Sequence, residues 1–366
     1  MAAKKRQTNT RGEAYADGKA RWEVHIRRPD GSQAHRTFST RKAAELWERT
    51  ELQSFDSGSW TPTSAKSTRL TAYADQFLVE RPKPLAPRTV ELYRQLLDRF
   101  ILPTFGPRKL STIRTDEVRR WMAQVTESAT QIQAAKAYRL LRAILNVAVN
   151  DGLLQRNPCA IRGAGQEHSA ERPLATADEI QALADVIAPH MKVLVLLAGF
   201  GGLRHGELLG LHRGDIDVGT STVRVQRQAL YLQKCGRVEG PPKSKAGVRT
   251  VALPAFVAEA LVHHLDEWTP PGHDAPVFIG ERGGPLAATS LAHEFSRARA
   301  QIGLEHVTLH DLRHAAGTMA AWTGATTREL MARLGHSTTD ASMRYQHAAQ
   351  TRDAEIAAKL DLFRRG

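Results

Sequence analysis

The chain has 366 residues, 42% of them hydrophobic, which suits two or three ordinary domains, and no apolar run approaches the roughly 20 residues of a membrane helix. Two cysteines, Cys159 and Cys235, exclude a disulfide framework and a cysteine-rich metal site, and point to a reducing cytoplasm. The formal charge of +13 is segregated: residues 1–66 carry 13 Lys and Arg against 8 Asp and Glu, residues 67–165 carry 16 against 8, and residues 166–366 carry 22 against 22, as expected of a chain whose first part grips a polyanion.

In chain order, the basic start M-A-A-K-K-R lacks the apolar segment of a signal peptide, and residues 1–10 read as disordered. From Lys19 to Arg28, Trp22, Val24 and Ile26 alternate with Glu23, His25 and Arg27, the pattern of a half-exposed strand. A turn at Pro29-Asp30-Gly31 returns the chain as a second strand, Gln33 to Phe38. Ser39 or Thr40 then caps a helix from Lys42 to about Ser54, with Ala44, Leu46, Trp47 and Leu52 as its apolar positions. Residues 1–60 thus form a small basic β-β-α module, followed by a linker from Ser57 to Ser67.

Residues 69–162 read as a helical bundle. Leu70 to Val79 begins it, and a second helix with a Leu92, Leu96, Leu97 and Phe100 stripe stops at Pro103. Thr115 caps a third helix, with Asp116 and Glu117 in its first turn. A long helix from Thr130 to Asn150 buries Leu140, Leu141, Ile144, Leu145 and Ala148. Arg27, Arg28, Arg88, Lys136 and Arg139 are the cations of this half placed to meet backbone phosphates, and Lys245 joins them from further on.

A second linker, Arg162 to Ala175, leads to a capping box at Thr176 and Glu179 that opens the section 172–366. After the apolar helix Met191 to Leu197, G-G-L-R-H-G-E-L (Gly201 to Leu208) breaks the chain so that Arg204 opens the next helix, where backbone N–H groups favour phosphate. Two strands, Thr222 to Val225 and Val248 to Leu253, flank a loop or hairpin tip, P-P-K-S-K-A-G, that carries Lys243 and Lys245. Thr308 and Asp311 cap a helix in which His310 and Arg313 share a face. Gly335 ends the helix Arg328 to Leu334 and leaves His336 at a turn, and a further helical run, Thr338 to Ala349, carries Tyr345.

These residue types suit one chemistry. A guanidinium presents a fork of donors to two phosphate oxygens, an imidazole moves a proton near neutral pH, and a phenol can be a covalent nucleophile. Glu207 and Asp311 are the only acids inside the motifs and read as groups that orient Arg204, His310 or a cap. A two-metal nuclease needs clustered carboxylates, so no metal and no cofactor are expected. His314 reads as a support for its helix.

Arg204 in G-L-R-x-G-E, His310 and Arg313 in H-x-L-R, His336 in L-G-H-S, and Tyr345 nine residues later resemble the signature of the tyrosine recombinases, the phage integrase family. The resemblance implies a multidomain protein, mainly α with small β-sheets. It has an arm-type DNA-binding module over 1–60, a helical core-binding domain over 69–162 and a mixed α+β catalytic domain over 172–366. It implies that Arg204 and Arg313 hold the non-bridging oxygens while His310 handles the tyrosine proton. His336 hydrogen-bonds the phosphate, Tyr345 attacks phosphorus, and a lysine protonates the departing 5′ oxygen. Lys243 matches that lysine better than Lys245, and both stay open. The implied partners are double-stranded DNA attachment sites, three further copies of the chain in a tetramer, and an accessory DNA-bending or excision factor. The tail with Ile356, Leu360, Leu362 and Phe363 reads as an amphipathic helix that docks on a neighbour. The basic module argues against a type IB topoisomerase, and the complete set of chemical residues argues against a non-catalytic DNA-binding regulator.

Overall fold

A computed structural model describes residues 8–14, 20–28, 31–57, 67–80, 83–167, 173–233 and 235–338. The chain divides into two units, residues 1–169 and 170–366.

The first unit begins with an antiparallel sheet in the order β1 (Thr8–Ala14), β2 (Ala20–Arg27), β3 (Gln33–Phe38). Helix α1 (Arg41–Asp56) follows, its first turn closed by the Thr40 hydroxyl accepting the Ala43 N–H. Val24, Ile26, Ala34 and Ala44 are its buried core, with Trp22, Phe38, Trp47, Leu52 and Phe55 packed around them. Two expectations change here. The last three residues of the stretch read as disorder, 8–10, open β1, because backbone pairing with β2 (Thr8 opposite Ile26 through to Ala14 opposite Ala20) does not need the apolar alternation that T-N-T-R-G-E-A lacks. Leu46 is 62% exposed, because α1 turns it away from the sheet.

The bundle comprises α2 (Leu70–Val79), α3 (Pro87–Leu96), a π turn (Leu97–Ile101), α4 (Leu102–Phe105), α5 (Thr115–Ser128) and α6 (Gln131–Asn150) around a separate apolar core. Pro103 does not stop the second helix as expected. The turn before it widens, so that the Leu102 N–H reaches the Leu97 carbonyl, and the chain absorbs the donor that proline lacks. The Trp121 indole N–H donates to the Phe100 carbonyl in that turn at 2.8 Å. Arg114, rather than Thr115, precedes α5, its N–H held by Glu117 at 3.0 Å.

The second unit runs α7 (Ala177–Val186), α8 (Lys192–Gly199), α9 (His205–Leu209), β4 (Ile216–Asp217), β5 (Thr222–Val225), β6 (Gln228–Leu232), β7 (Gly236–Gly240), β8 (Arg249–Ala252), α10 (Ala255–Glu267), α11 (Ala288–Gln301), α12 (Leu309–Trp322) and α13 (Thr327–Leu334). Helix α8 is buried from Val193 to Gly199, and α7, α10 and α12 pack on it. A continuous apolar run reads as such a central helix because no face is left for water. The strands form two small antiparallel sheets, β4-β5-β8 and β6-β7. The β6-β7 hairpin was not legible in the sequence. Of the two readings for Lys243 and Lys245, loop or hairpin tip, the loop holds, since they lie in the connection between β7 and β8. Among the described residues no helix is long and apolar enough to cross a membrane.

Candidate active site

The site is built on the C-terminal end of α13. Capping boxes set the helices around it: Thr308 with Asp311 starts α12, and Thr326 with Glu329 starts α13. Helix α13 ends at Gly335, whose φ of +65° is left-handed; a Cβ there would also lie 2.8 Å from the Ala246 carbonyl oxygen. Gly202, with φ of +68°, makes the break before α9, and a Cβ on it would come within 2.6 Å of Leu334. These two close approaches bring the loop before α9, the loop before β8 and the end of α13 together.

Three guanidinium groups from three elements converge there. Arg249 Nε donates to the Arg333 carbonyl at 2.7 Å. Arg313, 2% exposed, donates to the carbonyls of Leu334 and Gly202. Arg204 Nη2 donates to the Gly335 carbonyl at 2.9 Å. The last carbonyls of a helix have no partner within it and carry the negative end of its dipole, so cations are favourable at that position. Glu207 joins two of the three from below: it accepts from Arg249 at 3.1 and 3.0 Å, and from the Arg204 guanidinium and N–H at 2.7 and 2.9 Å. Burial would raise the Glu207 carboxyl, but Arg249 and then Arg204 outweigh it and hold the group below the ordinary carboxylate value. The carboxylate therefore stays ionised and offsets part of the positive charge.

His336 follows directly, its N–H closing α13 on the Met331 carbonyl at 3.0 Å. Desolvation, then the charges of Arg313 and Arg204, lower its imidazole to about 4. His310 is lowered for the same reasons, desolvation first and Arg313 next. Its ring meets that of His314 edge-on, with centroids 4.5 Å apart. Both His310 and His336 are therefore neutral at pH 7, each able to donate from one ring nitrogen and accept at the other. The two acids of the motifs are engaged, Glu207 by arginines and Asp311 by the Thr308 N–H at 2.9 Å, so neither stands out as a metal ligand.

The fold thus gathers Arg204, His310, Arg313 and His336. Lys243 and Lys245 are both exposed, on a loop whose Ala246 and Gly247 press against Gly335. Tyr345 lies outside the described residues, as do the run from Thr338 to Ala349 beyond its first residue and the tail with Ile356, Leu360, Leu362 and Phe363. Arg249 is the member that motif reading missed. Its signal was an arginine in step with buried Val251 on one face of a short strand, a position that demands partners. On the first unit, Arg27 is exposed and Arg28 and Lys136 half-buried. Arg88 pairs with Glu91 at 3.0 Å. Arg139 is committed to the chain leaving the bundle, donating to the Gly165 carbonyl at 2.8 Å and to Glu167.

The models of the phage integrase family and of the phage integrase central domain match residues 174–352 and 70–164. The chain is 38% identical to a putative prophage phiRv2 integrase of Mycobacterium tuberculosis, over 97% of this chain and 96% of that protein. Among solved structures, the Tn1549 transposon integrase in complex with transposon right end DNA superposes with a TM-score of 0.68 at 20% identity, over 79% of this chain and 100% of that one. A lambda integrase tetramer bound to a Holliday junction gives 0.55 at 17% identity, over 90% and 96%. The two structures show a shared fold.

Proposed function

The chain belongs to the phage integrase family and is a tyrosine recombinase that acts in site-specific recombination; from that premise we propose that it breaks and rejoins DNA through a 3′-phosphotyrosine bond at Tyr345, without metal or ATP. The observation that carries the reading is the convergence of the Arg204 and Arg313 guanidinium groups beside His310 and His336.

The Tyr345 oxygen attacks phosphorus and its proton passes to His310. The bond from phosphorus to the 5′ oxygen breaks, and that oxygen takes a proton from Lys243, with Lys245 as the other candidate. Arg204 and Arg313 hold the two non-bridging oxygens, and His336 donates a further hydrogen bond. Attack by a 5′-hydroxyl of the partner duplex reverses the step, so bond energy is conserved. Fixing the guanidinium groups on backbone carbonyls means that little reorganisation is needed when charge develops on the phosphate. Residues 1–60 serve as the arm-binding module and 69–162 as the core-binding domain. Arg27, Arg28, Arg88, Lys136 and Lys245 supply phosphate contacts, and Arg139 does so on release from Glu167. Four copies assemble on two duplexes, a reading supported by the lambda integrase tetramer on a Holliday junction, and an accessory bending or excision factor joins them.

The test is Tyr345→Phe on a labelled attachment site. Specific binding is expected to persist while the adduct that survives denaturing electrophoresis disappears. Wild-type adduct is expected in excess EDTA. An adduct from Tyr345→Phe would place the nucleophile elsewhere, and loss of wild-type adduct in EDTA restored by magnesium would end the metal-free reading.

A further inference from the structure

The exposed face of the N-terminal sheet holds a group of side chains that DNA chemistry does not use. His25 on β2 and His35 on β3 are direct cross-strand partners. Their rings lie 4.4 Å apart between centroids and tilted by 32°, closer to stacked than crossed. Glu23, two residues before His25 on the same face, places Oε2 at 3.4 Å from His35 Nε2 and 3.7 Å from His25 Nε2. One ligand atom from each residue lies within 4.8 Å of the others. No spacing in the linear sequence announces this set, because the third member arrives only through strand register.

We propose that Glu23, His25 and His35 form a binding site for a divalent first-row transition cation of the zinc class. Two imidazoles and a carboxylate are a donor set that such ions accept, with a fourth position open to water. Ligand bonds of about 2.0–2.1 Å to a tetrahedral ion put neighbouring donor atoms about 3.4 Å apart. Glu23 already stands near that distance from both imidazole nitrogens. The hard ions magnesium and calcium prefer all-oxygen shells and are poor candidates. The side chains of both histidines are half exposed and that of Glu23 is 26% exposed, so an ion can enter without unfolding the sheet.

The site also answers a need of the fold. Among its described residues the module buries Val24, Ile26, Ala34 and Ala44, and small cores are commonly supplemented by a disulfide or a metal. An ion held between β2 and β3 would tie these strands, and binding to the folded state alone stabilises it by mass action. This inference is independent of the strand-cleavage chemistry and assigns the metal no role in it.

The experiment is calorimetric titration of the full-length protein, freed of metal, with zinc chloride in a non-chelating buffer, read together with histidine-selective NMR. The wild type is expected to take up one equivalent that the His25→Ala/His35→Ala variant lacks. His25 and His35 resonances should shift together. Glu23→Gln and single His25→Ala should weaken the site at least about tenfold, since loss of even the groups that support metal ligands costs that much. His263→Ala, which alters an exposed histidine paired with Glu267 on α10, should leave this equivalent in place. Circular dichroism of the variants confirms their folding. Identical isotherms for the wild type and the double variant, or zinc shifts confined to other histidines, would overturn the proposal.

Discussion

Arginine serves opposite purposes in the two units. On the bundle several arginines are exposed and paired with nearby carboxylates, as with Arg88 and Glu91 at 3.0 Å or Arg94 and Asp75 at 2.6 Å. Such pairs in water contribute little to stability, so a phosphate can displace the carboxylate at small cost. In the second unit the side chains of Arg313 and Arg249 are buried and bonded to main-chain carbonyls, and Arg204 is held between Glu207 and Gly335. There the cation is part of the architecture. The contrast runs alongside the charge distribution: the basic excess lies in residues 1–165, while residues 166–366 are neutral and Glu207 offsets part of the charge of Arg249 and Arg204. On the proposed reading the basic excess marks the electrostatic grip on DNA, and net charge is blind to the candidate active site.

The sharpest test of this division concerns a cation that belongs to the second unit yet is exposed. Lys243→Ala is expected to slow cleavage by about 100- to 10,000-fold, the usual contribution of a general acid, while binding stays near normal. A substrate with sulfur at the bridging 5′ position should restore its rate, because a thiolate leaves without a proton. Rescue of Lys245→Ala instead would exchange the two lysines, and rescue of neither would move the acid off this loop.

Next comes Arg313→Lys, which keeps the charge and loses the fork. The single-turnover cleavage rate at saturating DNA should fall about 100- to 1000-fold, as when a preorganised donor is removed. One buried carbonyl, of Gly202 or Leu334, loses its donor, so stability to denaturant should drop by about 1–3 kcal/mol. A full rate with unchanged stability would erase the distinction between fixed and exchangeable arginines.

The smallest effect is expected from Arg88→Ala. If Arg88 meets one phosphate, the slope of log affinity against log salt should become shallower by about 0.9, and cleavage at saturation should not change. A changed cleavage rate with an unchanged slope would place Arg88 in the other class.

What the sequence by itself determined is the local part of this protein. The capping boxes at Thr176 and Thr308, the left-handed stop at Gly335 and the alternation of β2 depend on neighbours a few residues apart, and they are found where short-range chemistry puts them. The motifs holding Arg204, His310, Arg313 and His336 were legible for the same reason, since each sits at a break or cap with its own signature. Only the tertiary structure decided the long-range bonds: Arg249 reaching the Arg333 carbonyl, Arg204 reaching Gly335 across 131 residues, β1 joining a sheet that its composition does not favour, and His35 arriving beside Glu23 and His25. The physical reason is common to all four. A backbone carbonyl or a cross-strand neighbour carries no residue identity, so the sequence gives no sign of which distant side chain will bond to it until the chain has closed the loop between them.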